Sequence, residues 1–137
     1  MSLKKQAILL LLICFSTSAS FAGSEKFSWS KVIDAIVKVE SNGNQEAKNG
    51  YCVGPMQISP IMVKQCNEIL KEKDLKPKFK LADRYDLNKS KEMFYLFQKK
   101  YNPEMNIEKA IRSWNGGPNF NHKSTNSYYK KVIYNIK

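Results

Sequence analysis

Residues 29–58 read WSKVIDAIVKVESNGNQEAKNGYCVGPMQI, and this stretch decides the fold because it joins an apolar helix to a glycine-rich loop through one acid. Val32, Ile33 and Ile36 recur at helical spacing after the favourable N-cap residue Ser28. This pattern predicts an amphipathic helix from residue 29 to residue 41. The run SNGN at 41–44 is typical of a helix end.

Glu40 is the acid at the end of this predicted helix. It follows Ile33 by seven residues, which places it within about 20° of the same helix face. A carboxyl group on a buried face is desolvated, and desolvation raises its pKa toward neutrality, as a general acid requires. The alternative is a carboxylate at a frayed helix end that faces water. The block GPMQI at 54–58 favours the first interpretation, because it brings a turn and an amide back toward Glu40.

Four short blocks resemble motifs of the soluble lytic transglycosylases, which have a lysozyme-like fold and cleave peptidoglycan. Glu40-Ser41 with Ala47 resembles the family's Glu-Ser block, and GPMQI at 54–58 resembles Gly-Leu-Met-Gln-Ile. WNGGP at 114–118 resembles Tyr-Asn-Ala-Gly-Pro, and Thr125-x-x-Tyr128-x-x-x-Val132 resembles Thr-x-x-Tyr-Val-x-x-Val. The resemblance implies a mainly α, lysozyme-like single domain. After the first helix we expect either a short β-hairpin or an irregular loop. A hairpin would fall between residues 44 and 57, but the sequence does not require one.

The resemblance also implies the chemistry. Glu40 would protonate the oxygen of the β-1,4 bond between N-acetylmuramic acid and N-acetylglucosamine, and would then act as base on the muramic 6-hydroxyl. The product is a 1,6-anhydro end, and no water is consumed. No cofactor is expected. No metal site is expected either, because the chain after residue 22 offers only two Cys and His122, short of a zinc ligand set.

Substrate-binding roles follow by the same resemblance. Gln57 would bind the glycan, and Met56 would line the wall near Glu40. Asn115 would contact sugar or hold a turn, and Tyr128 would direct its hydroxyl to the acid or serve as a core aromatic. Two positions depart from the family pattern: Trp114 replaces a tyrosine but could stack on a sugar, and Asn49 stands where many relatives have a serine.

Two other functions stay open at this point. A goose-type muramidase on the same fold would hydrolyse the same bond with water, and would need a second carboxylate from Glu46, Asp83 or Asp86. A non-catalytic cationic module would bind wall polymers without cleaving them. The mass of the digestion products distinguishes a transglycosylase from a muramidase, because the anhydro product is one water lighter. Substitution of Glu40 by Gln distinguishes an enzyme from a non-catalytic module.

The N-terminus has the pattern of a secretory signal peptide over residues 1–22. Lys4 and Lys5 precede an apolar run at 7–15, and SFA at 20–22 is a cleavage site, so cleavage is expected near Ala22. The lysozyme-like catalytic domain would then span residues 23–137, exported to the periplasm or secreted. No stable membrane anchor is expected. Cys14 does not fit a lipoprotein, because Ile13 rather than a small residue precedes it.

Charge points to an anionic partner. The net charge is +11, and it falls to +9 when Lys4 and Lys5 leave with the signal peptide. Peptidoglycan glycan strands with acidic stem peptides fit this charge, whereas no nucleic-acid-binding motif is present. An envelope-spanning secretion apparatus is a further candidate partner, and the chain is expected to be a monomer.

Cys52 and Cys66 are the two cysteines after the signal peptide, and export would allow them to pair. A disulfide would close a 15-residue ring, worth about 3 kcal/mol in the chain-entropy model. The alternative is two free thiols, since cysteine is often buried unpaired.

The rest of the chain predicts four more helices. Ser59 and Pro60 start one that runs to about residue 73, and another covers 87–101. Asn102-Pro103 is expected to cap a fourth helix that ends at the Gly116-Gly117-Pro118 stop, and Ser124 or Thr125 to cap the last. Residues 75–85 are expected to form a charged loop.

Overall fold

The computed structural model describes residues 27–137, so the predicted signal peptide and Cys14 lie outside the described residues. Two short strands separate the first of five described α-helices from the second. The elements are α1 (Ser30–Ser41), β1 (Lys48–Asn49), β2 (Cys52–Val53), α2 (Pro60–Glu72), a 3₁₀ helix (Leu81–Tyr85), α3 (Leu87–Tyr101), α4 (Ile107–Gly116) and α5 (Asn126–Asn135). The predicted mainly α fold is confirmed, and of the hairpin and the irregular loop left open after the first helix the structure has the hairpin.

Helix α1 forms because its apolar residues share one face. Val32, Ile33 and Ile36 are buried on that face, and Ser28 accepts a hydrogen bond from the Ser30 amide at 3.2 Å. The helix starts one residue later than predicted. Asn42 adopts a left-handed conformation and its amide donates to the Lys38 carbonyl at 3.1 Å, which ends the helix just after Glu40.

The hairpin and the loop after it fold back onto α1. Strands β1 and β2 are antiparallel, with Lys48 opposite Val53 and Asn49 opposite Cys52. Val53 pairs again with Ile58, which closes residues 54–57 into a tight loop. Gly54 has φ +82°, and a Cβ there would lie 1.8 Å from the Arg84 carbonyl oxygen. Only glycine fits this position, because both the backbone conformation and the space exclude a side chain.

Helices α2 and α3 follow the sequence signals closely. The Ser59 side chain accepts from the Met62 amide at 3.2 Å at the start of α2, and α2 ends one residue before the predicted limit. Asp86 caps α3 by accepting from the Lys89 amide at 2.8 Å. The loop predicted at 75–85 instead contains the 3₁₀ helix. The Asp83 carboxylate accepts from the Lys80 amide and so stabilises the first turn of this helix.

Helix α4 starts later than the sequence predicted. Asn106, not Asn102, is its N-cap and accepts from the Lys109 amide at 2.8 Å. The Asn102 side chain accepts from the Asn106 amide at 3.0 Å and donates to the Asn106 carbonyl at 2.9 Å. These two bonds hold residues 102–106 as a turn, so the predicted start at Asn102-Pro103 is wrong.

The core gathers these elements around an aromatic cluster. The Trp114 ring lies 5.2 Å from that of Phe94 and 6.3 Å from that of Phe97, joining α3 to α4. Ile33 and Ile36 of α1 pack into the same buried cluster. As a result, the ends of α1 and α4 and the hairpin meet. None of the described helices is long and apolar enough to cross a membrane.

Candidate active site

Glu40 lies in the last turn of α1 and is partly buried, on the face that the sequence predicted. Burial raises the pKa of its carboxyl group from 4.5 to about 7. The carboxyl group can therefore carry a proton at neutral pH, which is the property of a general acid.

A cavity of about 310 Å³ opens beside Glu40, where α1, the hairpin and α4 meet. Five of the predicted site residues line it together: Glu40, Asn49, Gln57, Trp114 and Asn115. Four further residues complete the wall: Cys52, Ile58, Ser59 and Met62. Within residues 27–137, Glu40 is the only acidic residue that lines this cavity.

Ser41 connects the acid to the loop that follows the hairpin. Its hydroxyl donates to the Pro55 carbonyl at 2.8 Å and accepts from the Gly43 amide at 3.1 Å. The residue after Glu40 thus holds the 54–57 loop against the end of α1. The spacing of the Glu-Ser and GPMQI blocks is explained by this bond.

Gln57 has a structural task as well as a place in the cavity. Its Nε2 donates to the Ala47 carbonyl at 3.1 Å and to the Gly54 carbonyl at 2.9 Å, across the base of the hairpin. Both partners are acceptors, so the orientation of the amide is determined. The Oε1 atom is therefore the one that remains to accept a hydrogen bond from a ligand.

Met56 does not line the cavity, so this part of the prediction is wrong. Its side chain is fully buried in the core, because the loop turns it away from Glu40 while Gln57 beside it reaches the cavity. The Met56 carbonyl accepts from Trp114 Nε1 at 3.2 Å. The Trp114 indole therefore presents an apolar surface to the cavity, and its N–H is already engaged.

Asn49 and Asn115 reach the cavity from different elements. Asn49 lies in β1 and Asn115 in the last turn of α4, and both residues are exposed. Neither side chain forms a hydrogen bond with another described residue. Two amides at the cavity wall are thus available to a polar ligand.

Tyr128, in the first turn of α5, places its buried hydroxyl beside Glu40. The hydroxyl forms no hydrogen bond of full geometry with another described residue, but its polar contact with the carboxyl group lowers the pKa of Glu40 against the larger effect of burial. Burial, and then the Glu40 charge, raise the pKa of Tyr128 well above 10. The phenol therefore stays protonated and can donate to the carboxylate.

The predicted disulfide is not formed, because Cys52 and Cys66 are both free thiols. Cys52 lines the cavity. Cys66 lies on the buried face of α2, where its Sγ donates to the Met93 carbonyl at 3.6 Å. Burial raises the pKa of the Cys66 thiol to about 12 and also raises that of Cys52, beside the Glu40 charge.

The acids considered as a second catalytic group are elsewhere. Asp83 accepts from the Lys80 amide at 2.7 Å and Asp86 caps α3, so both serve local turns. Glu46 is exposed. None of the three lines the cavity with Glu40. Residues 27–137 also contain no group of three or more His, Cys, Asp or Glu side chains that could hold a metal ion.

Two arginines that sequence reasoning missed hold the site in place. Arg84 donates from Nη1 to the Tyr51 carbonyl at 3.0 Å and to the Ile58 carbonyl at 3.3 Å, which anchors the hairpin to the 3₁₀ helix. Arg112, buried in α4, donates to the His122 carbonyl at 3.0 Å and to Thr125 Oγ1 at 3.1 Å, and so fixes the start of α5. No local pattern marks either residue, because their partners are distant in sequence.

Comparison with known proteins gives one family. The family model described as Transglycosylase SLT domain matches residues 18–137, which is most of the chain. No curated protein and no solved structure gives a significant match. The family match covers the blocks around Glu40, Gln57 and Asn115, which line one cavity, and the block of Tyr128, whose hydroxyl lies beside Glu40. The chain belongs to the transglycosylase SLT domain family.

Proposed function

We propose that this chain is a lytic transglycosylase that cleaves the β-1,4 bond between N-acetylmuramic acid and N-acetylglucosamine in peptidoglycan. The family implies transglycosylase-type activity on peptidoglycan. The observation that carries the finer proposal is a single carboxyl group in the cavity, with a pKa of about 7 and no second acid among the described lining residues. A single acid suffices when the substrate supplies the second group.

In the first step Glu40 acts as general acid. At neutral pH about half of a group with this pKa is protonated, so Glu40 can donate its proton to the glycosidic oxygen. The bond between that oxygen and the muramic C1 breaks, and the leaving sugar departs with a free hydroxyl. The carbonyl oxygen of the muramic N-acetyl group bonds to C1 in its place, with the positive charge on the resulting ring.

In the second step the Glu40 carboxylate acts as base. It removes the proton from the muramic 6-hydroxyl, and O6 attacks C1 as the bond from the acetamido oxygen breaks. The product is a 1,6-anhydro end, and Glu40 regains the proton it gave. The Tyr128 phenol would donate to the carboxylate between the two steps, when it carries its charge.

The other cavity residues would hold the glycan. Gln57 would accept a hydrogen bond through Oε1, because its Nε2 is bonded to the hairpin. Asn49 and Asn115 would donate to and accept from sugar groups, and Trp114 would pack its indole against a sugar ring. Met56 acts only indirectly, through the carbonyl that orients Trp114.

We also propose how the chain is processed and exported before it acts. Residues 1–22 would be removed as a signal peptide, and residues 23–137 would form the catalytic domain in the periplasm or outside the cell. Peptidoglycan glycan strands are the proposed partner, in keeping with the basic sequence. The enzyme would work as a monomer, and it could clear a path for an envelope-spanning secretion apparatus.

Digestion of purified sacculi tests the proposal. Mass spectrometry of the muropeptides should find anhydromuramic ends, which are one water lighter than hydrolysed ends. Glu40→Gln should abolish cleavage, while Glu46→Gln, the same change at an exposed acid outside the cavity, should keep it. Hydrolysed ends would indicate a muramidase instead. Unchanged clearing by Glu40→Gln would reject Glu40 as the catalytic acid.

A further inference from the structure

The surface of α3 carries two adjoining apolar clefts, which we call the α3 clefts. The larger, of about 510 Å³, is lined by Trp29, Tyr95, Lys99 and Met105 among others. The smaller, of about 310 Å³, lies on the other side of Tyr95 and Lys99, which line both. Its apolar wall comes from three further residues: Leu70, Phe79 and Leu96. The two clefts therefore form one continuous surface.

This surface is separate from the catalytic cavity. Trp29 stands at the start of α1 and Glu40 at its end, roughly 16 Å apart along the helix axis. None of the residues that the structure describes lines both the α3 clefts and the cavity beside Glu40. Tyr95 is 45% exposed and Met105 is 50% exposed. Large apolar side chains exposed together are typical of an interaction surface.

The charge at the junction of the α3 clefts is positive. Lys99 forms no ion pair with any residue from 27 to 137, in contrast to the neighbouring Lys100, which pairs with Glu72. Among the described residues, the one acid that lines either cleft is Glu92, and Lys78 and Lys89 already bind its two oxygens at 2.7 and 3.3 Å. This surface therefore has no carboxylate left to pair with Lys99. A bound partner could supply one.

The larger cleft also has an unpaired hydrogen-bond donor. Gln98 lines it and is 2% exposed, and its Nε2 has no hydrogen-bond partner among the described residues. The amide cannot be reversed, because Gln98 Oε1 accepts from Asn102 Nδ2 at 3.0 Å and the Asn106 backbone orients Asn102 in turn. A buried donor of this kind calls for an acceptor oxygen.

We propose that the α3 clefts dock a segment of a partner polypeptide in which apolar side chains flank an acidic residue. The apolar side chains would fill the clefts on either side of Tyr95, and the carboxylate would pair with Lys99. A backbone carbonyl of the segment would accept from Gln98 Nε2. A glycan suits this surface less well, because sugar hydroxyls need several polar partners and the larger cleft has mainly apolar walls. The docking does not depend on the function proposed for Glu40.

Titration of the ¹⁵N-labelled protein with a synthetic peptide tests this proposal by NMR. The peptide acetyl-Gly-Leu-Glu-Phe-Gly-amide should move the signals of the Trp29 indole N–H and the Gln98 side-chain amide. The Trp114 indole N–H, which is bonded to Met56 beside the catalytic cavity, should stay in place as an internal control. Lys99→Glu should weaken binding at least about tenfold. Lys130→Glu makes the same charge change at an exposed position on α5 and should leave the affinity unchanged.

Three results would overturn the proposal. The first is equal binding of the peptide with Lys in place of Glu, and the second is absence of any shift at millimolar peptide. The third is movement of the Trp29 signal by an N-acetylglucosamine trisaccharide but not by the peptide, which would make the surface a glycan site. Tyr95→Ala provides a second variant, because this exposed side chain can be removed without opening the core. It should also weaken binding at least about tenfold, while circular dichroism and cleavage of sacculi stay unchanged.

Discussion

The hydroxyl of Tyr128 is buried beside the carboxyl group of Glu40, and each group changes the other's proton affinity. The contact lowers the pKa of Glu40, while the Glu40 charge and burial raise that of Tyr128. The two residues are far apart in sequence, so packing of α5 on α1 creates the pair. The phenol is thus placed to stabilise the Glu40 carboxylate when it is charged.

Replacement Tyr128→Phe should slow cleavage about tenfold or more, because a hydrogen bond to a charged group is worth about 1.5–3 kcal/mol. The alkaline limb of the pH–rate profile should move to higher pH, since the contact that lowers the pKa of Glu40 is lost. At about pH 4, where folded Glu40 is protonated, the unfolding free energy should not fall, because the hydroxyl is buried without a hydrogen-bond partner of full geometry. Tyr129→Phe keeps the ring that Arg112 stacks on and is the matched control. An unmoved pH profile in Tyr128→Phe would contradict the assigned contact.

Glu40 should make the protein less stable as pH rises from about 5 to about 8. The folded pKa of about 7 exceeds the ordinary 4.5, so the folded state binds more protons between these values and stability falls as pH increases. Above the folded pKa the penalty is about 3 kcal/mol. Glu40→Gln should therefore raise the unfolding free energy by about that amount at pH 8 but change it little at pH 4. Urea unfolding at both pH values measures this, with Glu46→Gln as the exposed control. Equal effects at the two pH values would contradict the raised pKa.

Gly54 and Gly43 provide a matched pair. Both have a left-handed φ, +82° and +83°, but only at Gly54 would a Cβ meet the Arg84 carbonyl, at 1.8 Å. Gly43→Ala should cost about 1–2 kcal/mol for the backbone conformation alone. Gly54→Ala should cost about 3 kcal/mol or more and should also reduce cleavage, because the loop that carries Gln57 must move. Chemical denaturation of the two variants measures the difference. Equal losses would mean that the hairpin does not pack on the 3₁₀ helix.

Gln57→Glu should destabilise the hairpin although the side chains have the same shape. A carboxylate oxygen would replace Nε2 against the carbonyls of Ala47 and Gly54, and two acceptors facing each other cost about 1–3 kcal/mol. Gln45→Glu makes the same change at an exposed position and should have little effect. Chemical denaturation measures the loss of stability, and a peptidoglycan zymogram measures the effect on cleavage. Full stability of Gln57→Glu would contradict the bonds across the hairpin.

The thiols of the chain from residue 23 should react in two stages. Cys52 is partly exposed and should be modified slowly by a thiol reagent in the folded protein, while Cys66 is buried and should react only after unfolding. Cys52→Ser should remove the first stage and keep the second. An oxidised mass, two hydrogens lower, with no reactive thiol after unfolding would show that the disulfide expected from the sequence forms after all.

Local signals in the sequence predicted the helices well where a cap and a periodic face coincide. Ser59 and Pro60 correctly predicted the start of α2. The apolar periodicity of residues 87–101 correctly predicted both ends of α3. The signal failed at Asn102-Pro103, because the Asn102 side chain binds the backbone four residues later and holds a turn. Both asparagines are good N-caps, and the choice between them depends on packing that a local pattern does not contain.

The sequence alone determined that the chain is mainly helical, and that Glu40 lies on the apolar face of its first helix, because helical periodicity relates neighbours a few residues apart. Only the tertiary structure decided which side chains join Glu40. It turned Met56 into the core and Gln57 toward the cavity, kept Cys52 and Cys66 apart as free thiols, and held the site with Arg84 and Arg112. These outcomes depend on contacts between residues distant in the chain, whose geometry exists only after the helices have packed.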